Sequence, residues 1–167
     1  MRVIKFRGKC VNYHNWLYGF YYRDYYSDQD IIIAEPFSHK SVVESDTVGQ
    51  FTGICDIDGK EIYEGDILES AERPDSYSFG FWEVEDKNSD YGFTGHCGKM
   101  KISGKPFRRV VKWHEERAAF CLFLPLTDMI AGTKPLKMFI KDDKMRVIGN
   151  IYDNPELLKE DDKNEGD

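Results

Sequence analysis

A mainly β fold built from hairpins is what this sequence predicts, on three observations. The dominant hydrophobic period is two, the periodic stretches are filled by aromatic and β-branched residues, and Gly, Asn and Asp punctuate them at short intervals. Apolar residues at helical spacing occur only in short stretches, so one or two short helical turns are all the helix expected.

Residues 3–7 and 16–22 read as two strands joined through Asn12-Tyr13-His14-Asn15. The second strand is rich in rings, and alternation places Trp16, Tyr18 and Phe20 on one face, with Leu17 and Tyr21 on the other. Ile31-Ile32-Ile33 follows as a buried strand that Pro36 ends. The clearest local signal is residues 51–57, then Asp58-Gly59, then residues 60–63. Asp-Gly suits the two positive-φ positions of a type I′ hairpin turn. Gly65, between Glu64 and Asp66, is expected in a backbone conformation closed to other residues.

From about 70 to 105 the pattern weakens. Glycines at 80, 92, 95, 98 and 104 mark an irregular excursion, with short strands expected inside it near residues 77–84. Residues 108–113 and 118–124 form a second hairpin around His114-Glu115-Glu116. Residues 126–141 mix helical spacing with Gly132 and Pro135, and 136–140 suits a strand equally well. Residues 144–152 hold a strand ending at Asn150. Asn154-Pro155-Glu156 then opens a helical turn, with Asn154 as N-cap and Pro155 at the first helical position. Residues 1–157 thus read as a single β domain, and 158–167 as a disordered acidic tail, apolar residues being absent from 160–167. The positions on which the turns depend are Asp58, Gly59, Gly65, Gly149, Asn154 and Pro155.

With 167 residues, a chain buries roughly two thirds of its unfolded surface, enough for a core without a metal or disulfide. No apolar run is long enough for a bilayer, and the alternating N-terminus lacks the apolar core of a secretory signal, so a cytoplasmic protein with no membrane partner is expected. Cys10, Cys55, Cys97 and Cys121 form no C-x-x-C pair and read as reduced, mostly buried thiols. The net charge of -7 is unevenly spread: residues 1–98 hold 9 basic and 18 acidic side chains, and 99–146 hold 12 and 5. Such asymmetry marks an acidic tail, a nucleic-acid face or two surfaces that attract each other, unless folding intermixes the blocks.

Catalytic constellations are missing. The acids Asp56, Asp58, Glu61, Glu64, Asp66 and Glu69 do not follow calcium-loop spacing, since Gly59 falls fourth and Lys60 takes a ligand position. Asp66 with Asp56 and Glu64 could serve a metal-dependent nuclease, but turn acids bonding their own backbone are the stronger reading. There is no G-x-S-x-G and no phosphate-cradling glycine pattern. No cofactor is expected.

Five segments together resemble the YopX family of bacteriophages, prophages and other mobile elements. They are Phe6-Arg7-Gly8-Lys9, Trp16-Leu17-Tyr18-Gly19-Phe20, Thr47-Val48-Gly49-Gln50-Phe51-Thr52-Gly53, residues 56–67 with Gly59-Lys60-Glu61-Ile62-Tyr63-Glu64-Gly65-Asp66-Ile67, and Val147-Ile148-Gly149-Asn150-Ile151-Tyr152-Asp153-Asn154-Pro155-Glu156-Leu157. The resemblance implies a partly open small β-barrel within the mainly β fold and a place in the mobile gene pool. It implies no activity and supplies no catalytic residues.

The function expected is therefore that of a non-enzymatic accessory protein that binds another protein or itself. The candidate surface combines Tyr22, Tyr25 and Tyr26 with Lys101, Lys105, Arg108, Arg109 and Lys112. Those residues also fit the alternative, a nucleic-acid-binding small barrel in which cations track phosphates and rings stack on bases. A weaker alternative is an acidic inhibitor of a host defence nuclease, motivated by charge alone.

Overall fold

Strand periodicity becomes two antiparallel sheets. The computed structural model describes residues 3–34, 39–71, 76–85, 93–102, 106–132 and 134–159, with backbone alone at 33–34, 39, 76–85 and 93–102. Two units are present: Met1–Ser70 with Phe107–Asp167, and Ala71–Pro106. The first contains β1 (Phe6–Lys9), β2 (Trp16–Asp24), β3 (Gln29–Ala34), β4 (His39–Val42), β5 (Gly49–Cys55), β6 (Glu61–Tyr63) and β7 (Asp66–Glu69). The second is the hairpin β8 (Ser76–Glu85) and β9 (Phe93–Ile102), paired over ten residues from Ser76–Ile102 to Glu85–Phe93. The first unit resumes with β10 (Arg108–His114), β11 (Ala119–Phe123), α1 (Leu136–Asp142) and β12 (Arg146–Asn150), and has 3-10 turns at Ser45–Thr47 and Pro155–Leu158.

In the first unit a six-stranded sheet runs β4-β3-β2-β1-β5-β6 and a four-stranded sheet runs β11-β10-β7-β12. Neither closes, although one bridge, Cys10 to Val43, joins the end of β1 to the end of β4. Inside that curl a Cβ on Gly8 would lie 3.0 Å from both Ile32 and Val43, so the strands approach where Gly8 has no side chain. The four-stranded sheet is covered on both faces, as period two requires of Ile67-Leu68 and Val110-Val111. Leu68, Val111 and Leu122 pack with Leu136 and Ile140 of α1, Ile62 and Met145, while Ile67 and Val110 pack with Leu158. Each such side chain stabilises the fold by about 1.5–3 kcal/mol.

Two local expectations are corrected, and two more become definite. Asp58-Gly59 is not a type I′ turn: Gly59 has φ 85° but Asp58 is not at positive φ. The Asp56 carboxylate is the cause. Its Oδ1 accepts the N–H groups of Asp58 and Lys60, both at 2.9 Å, while the Gly59 N–H reaches the Asp56 carbonyl at 3.1 Å. That arrangement favours a three-residue loop with a glycine bulge. Asn154 holds the N-cap position with Pro155 in the first turn, as expected, although its side chain caps no helix N–H and its Oδ1 accepts the Asn150 N–H at 3.4 Å instead. Residues 136–140, left open between helix and strand by the sequence, are helix, and β1 begins at Phe6 rather than Val3, leaving Val3 and Ile4 exposed. Gly65 meets its expectation with φ 82°. Pro36 and residues 160–167 lie outside the described residues.

Buried charge joins the two sheets. Arg7 of β1 meets Asp66 of β7 at 2.6 Å, with the two side chains 7% and 1% exposed. The same guanidinium lies over the rings of Trp16 (4.8 Å) and Tyr63 (5.1 Å) and donates to the Glu64 carbonyl at 3.0 Å. Asp66 also accepts the Tyr63 N–H at 2.7 Å. Burial pushes the Asp66 carboxyl up, against the opposing pull of Arg7. Next to this pair, through the shared Trp16, Asp153 accepts from Lys9 (2.9 Å), the Trp16 indole (2.6 Å) and the Asn150 amide (2.9 Å). The donors Asn150, Lys9 and Trp16 lower its pKa from 3.8 to about 2.

Three outcomes are expected. Arg7→Ala leaves Asp66 buried without its counter-ion and lowers stability by about 3–5 kcal/mol, read as a fall in the urea midpoint; an unchanged midpoint would show that the pair is dispensable. Asp153 stabilises the fold above pH 3.8, and that contribution disappears as pH falls toward about 2. The acid-unfolding curve of Asp153→Asn should therefore be flatter than the wild type over that window. Gly49→Ala places a Cβ 2.6 Å from the Glu64 carbonyl oxygen, whereas Gly149→Ala meets the Asn154 side chain at 2.5 Å. Backbone cannot swing aside, so Gly49→Ala costs more, about 1–3 kcal/mol, when the two thermal midpoints are compared.

Candidate interaction surfaces

The predicted surface residues fall on different elements. Tyr22 lies on β2 with the Lys40 ammonium 5.7 Å from its ring centroid. Tyr25 and Tyr26 form the β2–β3 turn, 92% and 94% exposed, with their rings edge to face at 5.7 Å. Arg108, Arg109 and Lys112 belong to β10 in the other sheet. Arg108 donates to Glu69 at 3.0 Å and to the Leu157 carbonyl at 2.9 Å. Arg109 lies over the Phe107 ring at 4.5 Å, and Lys112 pairs with Asp128 at 3.2 Å. The side chain of Lys101 and all of Lys105 lie outside the described residues. The described cations of β10 are thus engaged by β7, the 124–135 segment and the C-terminal 3-10 turn, and none of the named partners is a residue of the tyrosine turn.

The acids once weighed as metal ligands are held by backbone and by Arg7. Asp56 receives the Val147 N–H at 2.9 Å in addition to its turn, Glu64 receives the Trp113 N–H at 3.1 Å, and Asp66 holds Arg7. Among the described residues no three His, Cys, Asp or Glu side chains are grouped to hold a metal ion, and no helix is long and apolar enough to cross a membrane. Cys10 and Cys121 are buried free thiols, but Cys55 is exposed, unlike the buried role expected of it. The side chain of Cys97 lies outside the described residues.

Two surfaces emerge from the geometry. The first is the ring face of the six-stranded sheet. Alternation along β2 puts Trp16, Tyr18, Phe20 and Tyr22 on one side; the paired Arg7 and Ile31 on that side are buried, and the side opens to solvent at Tyr18 and Phe20. Tyr18 is 46% and Phe20 61% exposed. Trp16 is drawn in by Tyr152 (5.8 Å) and Arg7, and Tyr18 meets the edge of Tyr63 at 5.5 Å, which leaves Phe20 as the most exposed ring of the strand.

The second surface was not anticipated. Two adjoining hollows of about 410 and 460 Å³ share Ile54 and Lys137 and run between β5, α1 and the outer edge of β11. Their floor includes Ile54, Phe120, Leu136 and Ile140, and their rim carries Arg117, Lys134, Lys137 and Lys141. No described residue lining either hollow is an acid. Lys134 pairs with Asp142 at 3.1 Å and Arg117 donates to the Gly132 carbonyl at 3.1 Å. The signal available in the sequence was the Lys137/Lys141 spacing of four, which shares a face only if residues 136–142 are helical.

Comparison with known proteins agrees with the architecture. The crystal structure of protein EF1440 from Enterococcus faecalis is similar to this chain with a TM-score of 0.50 and 21% identity, over 95% of this chain and 99% of that one. At that identity the likeness concerns the fold. No curated protein matches the chain. The family model described as YopX protein matches residues 5–159, and the chain belongs to the YopX family.

Proposed function

We propose that this chain is a non-enzymatic accessory protein of a phage or other mobile element, and that it works as an interaction module whose first partner is a second copy of itself. The observation that carries the reading is the exposed stretch of the β2 ring row, Tyr18 46% and Phe20 61% exposed, beside half-buried Tyr22. Aromatic side chains supply large, rigid contact area and dominate interface energetics. A two-fold contact needs a patch that complements itself, and neutral rings meet that demand without any paired charge. YopX membership supports the mobile-element origin.

The nucleic-acid alternative has less support. Of its described cations, Arg108 is held by Glu69 and Lys112 by Asp128, which weakens the positive field that phosphate binding requires. Its remaining support is Lys40 beside Tyr22, and it requires affinity for single strands that falls steeply with salt.

Light scattering across a concentration series tests the proposal. The expected result is a dimer that Phe20→Glu weakens by about tenfold or more, with the circular-dichroism spectrum unchanged because Phe20 is exposed. A monomer at every concentration, or a dimer indifferent to Phe20→Glu, would overturn it.

A further inference from the structure

The groove beside α1 differs from the ring face in two respects, its charge and its exposed backbone. The protein carries 30 acidic side chains against 23 lysines and arginines, yet the described lining holds four cations and no acid. Lys137 and Lys141 are both exposed, one helical turn apart, on the rim above buried Leu136 and Ile140. Such a groove favours a ligand with apolar groups for the floor and anionic groups for the rim.

The strand register says what else the ligand meets. In β11, Phe120 is opposite Trp113 and Leu122 opposite Val111. The Leu122 carbonyl accepts the Ala131 N–H at 2.7 Å, away from β10, and the Val111 carbonyl accepts the Gly65 N–H at 2.8 Å, away from β11. Opposed residues of an antiparallel pair alternate between exchanging bonds and turning their backbone outward. Phe120, two residues before Leu122, therefore also turns its N–H and carbonyl to the outer edge. Leu122 and Leu124 meet the 129–131 segment there, and Gly132, φ 95°, follows it. Among the described residues no backbone group pairs with Phe120 on that side, and Phe120 lines the groove.

We propose that this groove binds an extended peptide segment of a partner protein, alternating apolar and acidic side chains, which adds to the edge of β11 at Phe120. The peptide backbone pairs with the Phe120 N–H and carbonyl. Apolar side chains on one side of the segment settle over Ile54 and Leu136, and carboxylates meet Lys137, Lys141 and Arg117. Alternation in an added strand sends successive side chains to opposite sides, which matches an apolar floor with a charged rim. This surface is independent of the ring face.

Selection of a displayed library of random twelve-residue peptides on the intact chain tests the inference, with Lys137→Glu/Lys141→Glu as the counter-target. Both lysines are exposed, so the variant keeps the fold. The expected pool alternates apolar residues with aspartate or glutamate, binds the double variant about tenfold or more weakly, and shifts the Phe120 and Leu122 amide resonances. Phe20→Glu should leave that binding unchanged, and the lysine variant should leave self-association unchanged, so failure of either surface is distinguishable. An empty selection, a pool without acidic residues, equal binding to the double variant, or amide shifts that bypass β11 would each overturn the inference. Preferential capture of a single-stranded oligonucleotide by the same lysines would replace it with nucleic-acid binding.

Discussion

The Arg7–Asp66 pair is the constraint on which the arrangement of the two sheets depends. Arg7 stands on β1 in the middle of the six-stranded sheet, and Asp66 opens β7, an interior strand of the four-stranded one. A buried guanidinium is costly unless its charge and its donors are met. Here several elements meet most of them: Asp66 supplies the charge, the Glu64 carbonyl accepts a hydrogen bond, and the rings of Trp16 and Tyr63 offer their faces, while the buried Nε–H has no acceptor among the described residues. Displacing β6 or the Glu64–Asp66 turn would leave an unmet charge, so the pair fixes the register of β1, β2, β6 and β7 together. Arg rather than Lys suits the position, because a planar guanidinium can stack on rings while its edge bonds oxygen.

The segment from Gly49 to Glu69 carries that constraint between the sheets. β5 and β6 belong to one sheet and β7 to the other, and the crossing takes place at Glu64-Gly65. Gly65 donates its N–H to Val111 and accepts from Ile151, so a residue between sheets is hydrogen-bonded to two neighbouring segments of the second. Its positive φ makes the abrupt change of direction possible without strain. Gly49 allows the Glu64 carbonyl to approach from the other side. A turn of three residues thereby becomes the point where both sheets are aligned.

Much of this was legible in the sequence because strands and tight turns carry local signals. Ile31-Ile32-Ile33, the hairpin about residues 114–118 and the Gly65 turn all followed from period and turn chemistry. Other features depend on partners distant in sequence. Asp58-Gly59 was read as type I′ because its geometry depends on Asp56, whose carboxylate binds the loop and also Val147. Residues 136–140 gave no decision, since Gly132 and Pro135 interrupt the pattern and helical packing against Val111 and Leu122 settles it. Period two showed that Trp16, Tyr18 and Phe20 share a face, but which face is covered depends on Tyr21 bonding Asp30 and on Gly8 admitting Ile32 and Val43.

The charge blocks show the same limit in another form. Along the chain they are separate, an acidic first part and a basic 99–146 stretch, but the fold brings them together selectively. Glu69 from the first block meets Arg108, and Asp58 meets Arg146 at 2.7 Å. Within the basic block itself, Asp128 takes Lys112 and Asp142 takes Lys134. Exposed pairs of this kind contribute little to stability, a few tenths to about 1 kcal/mol each, but they decide where charge is cancelled. Among the described residues, β7, β10 and β12 hold cancelled pairs, whereas Lys137 and Lys141 of α1 stand with no carboxylate among the groove residues. Among the described residues, the basic character read from composition therefore survives folding beside α1, away from β10, where the cations are paired.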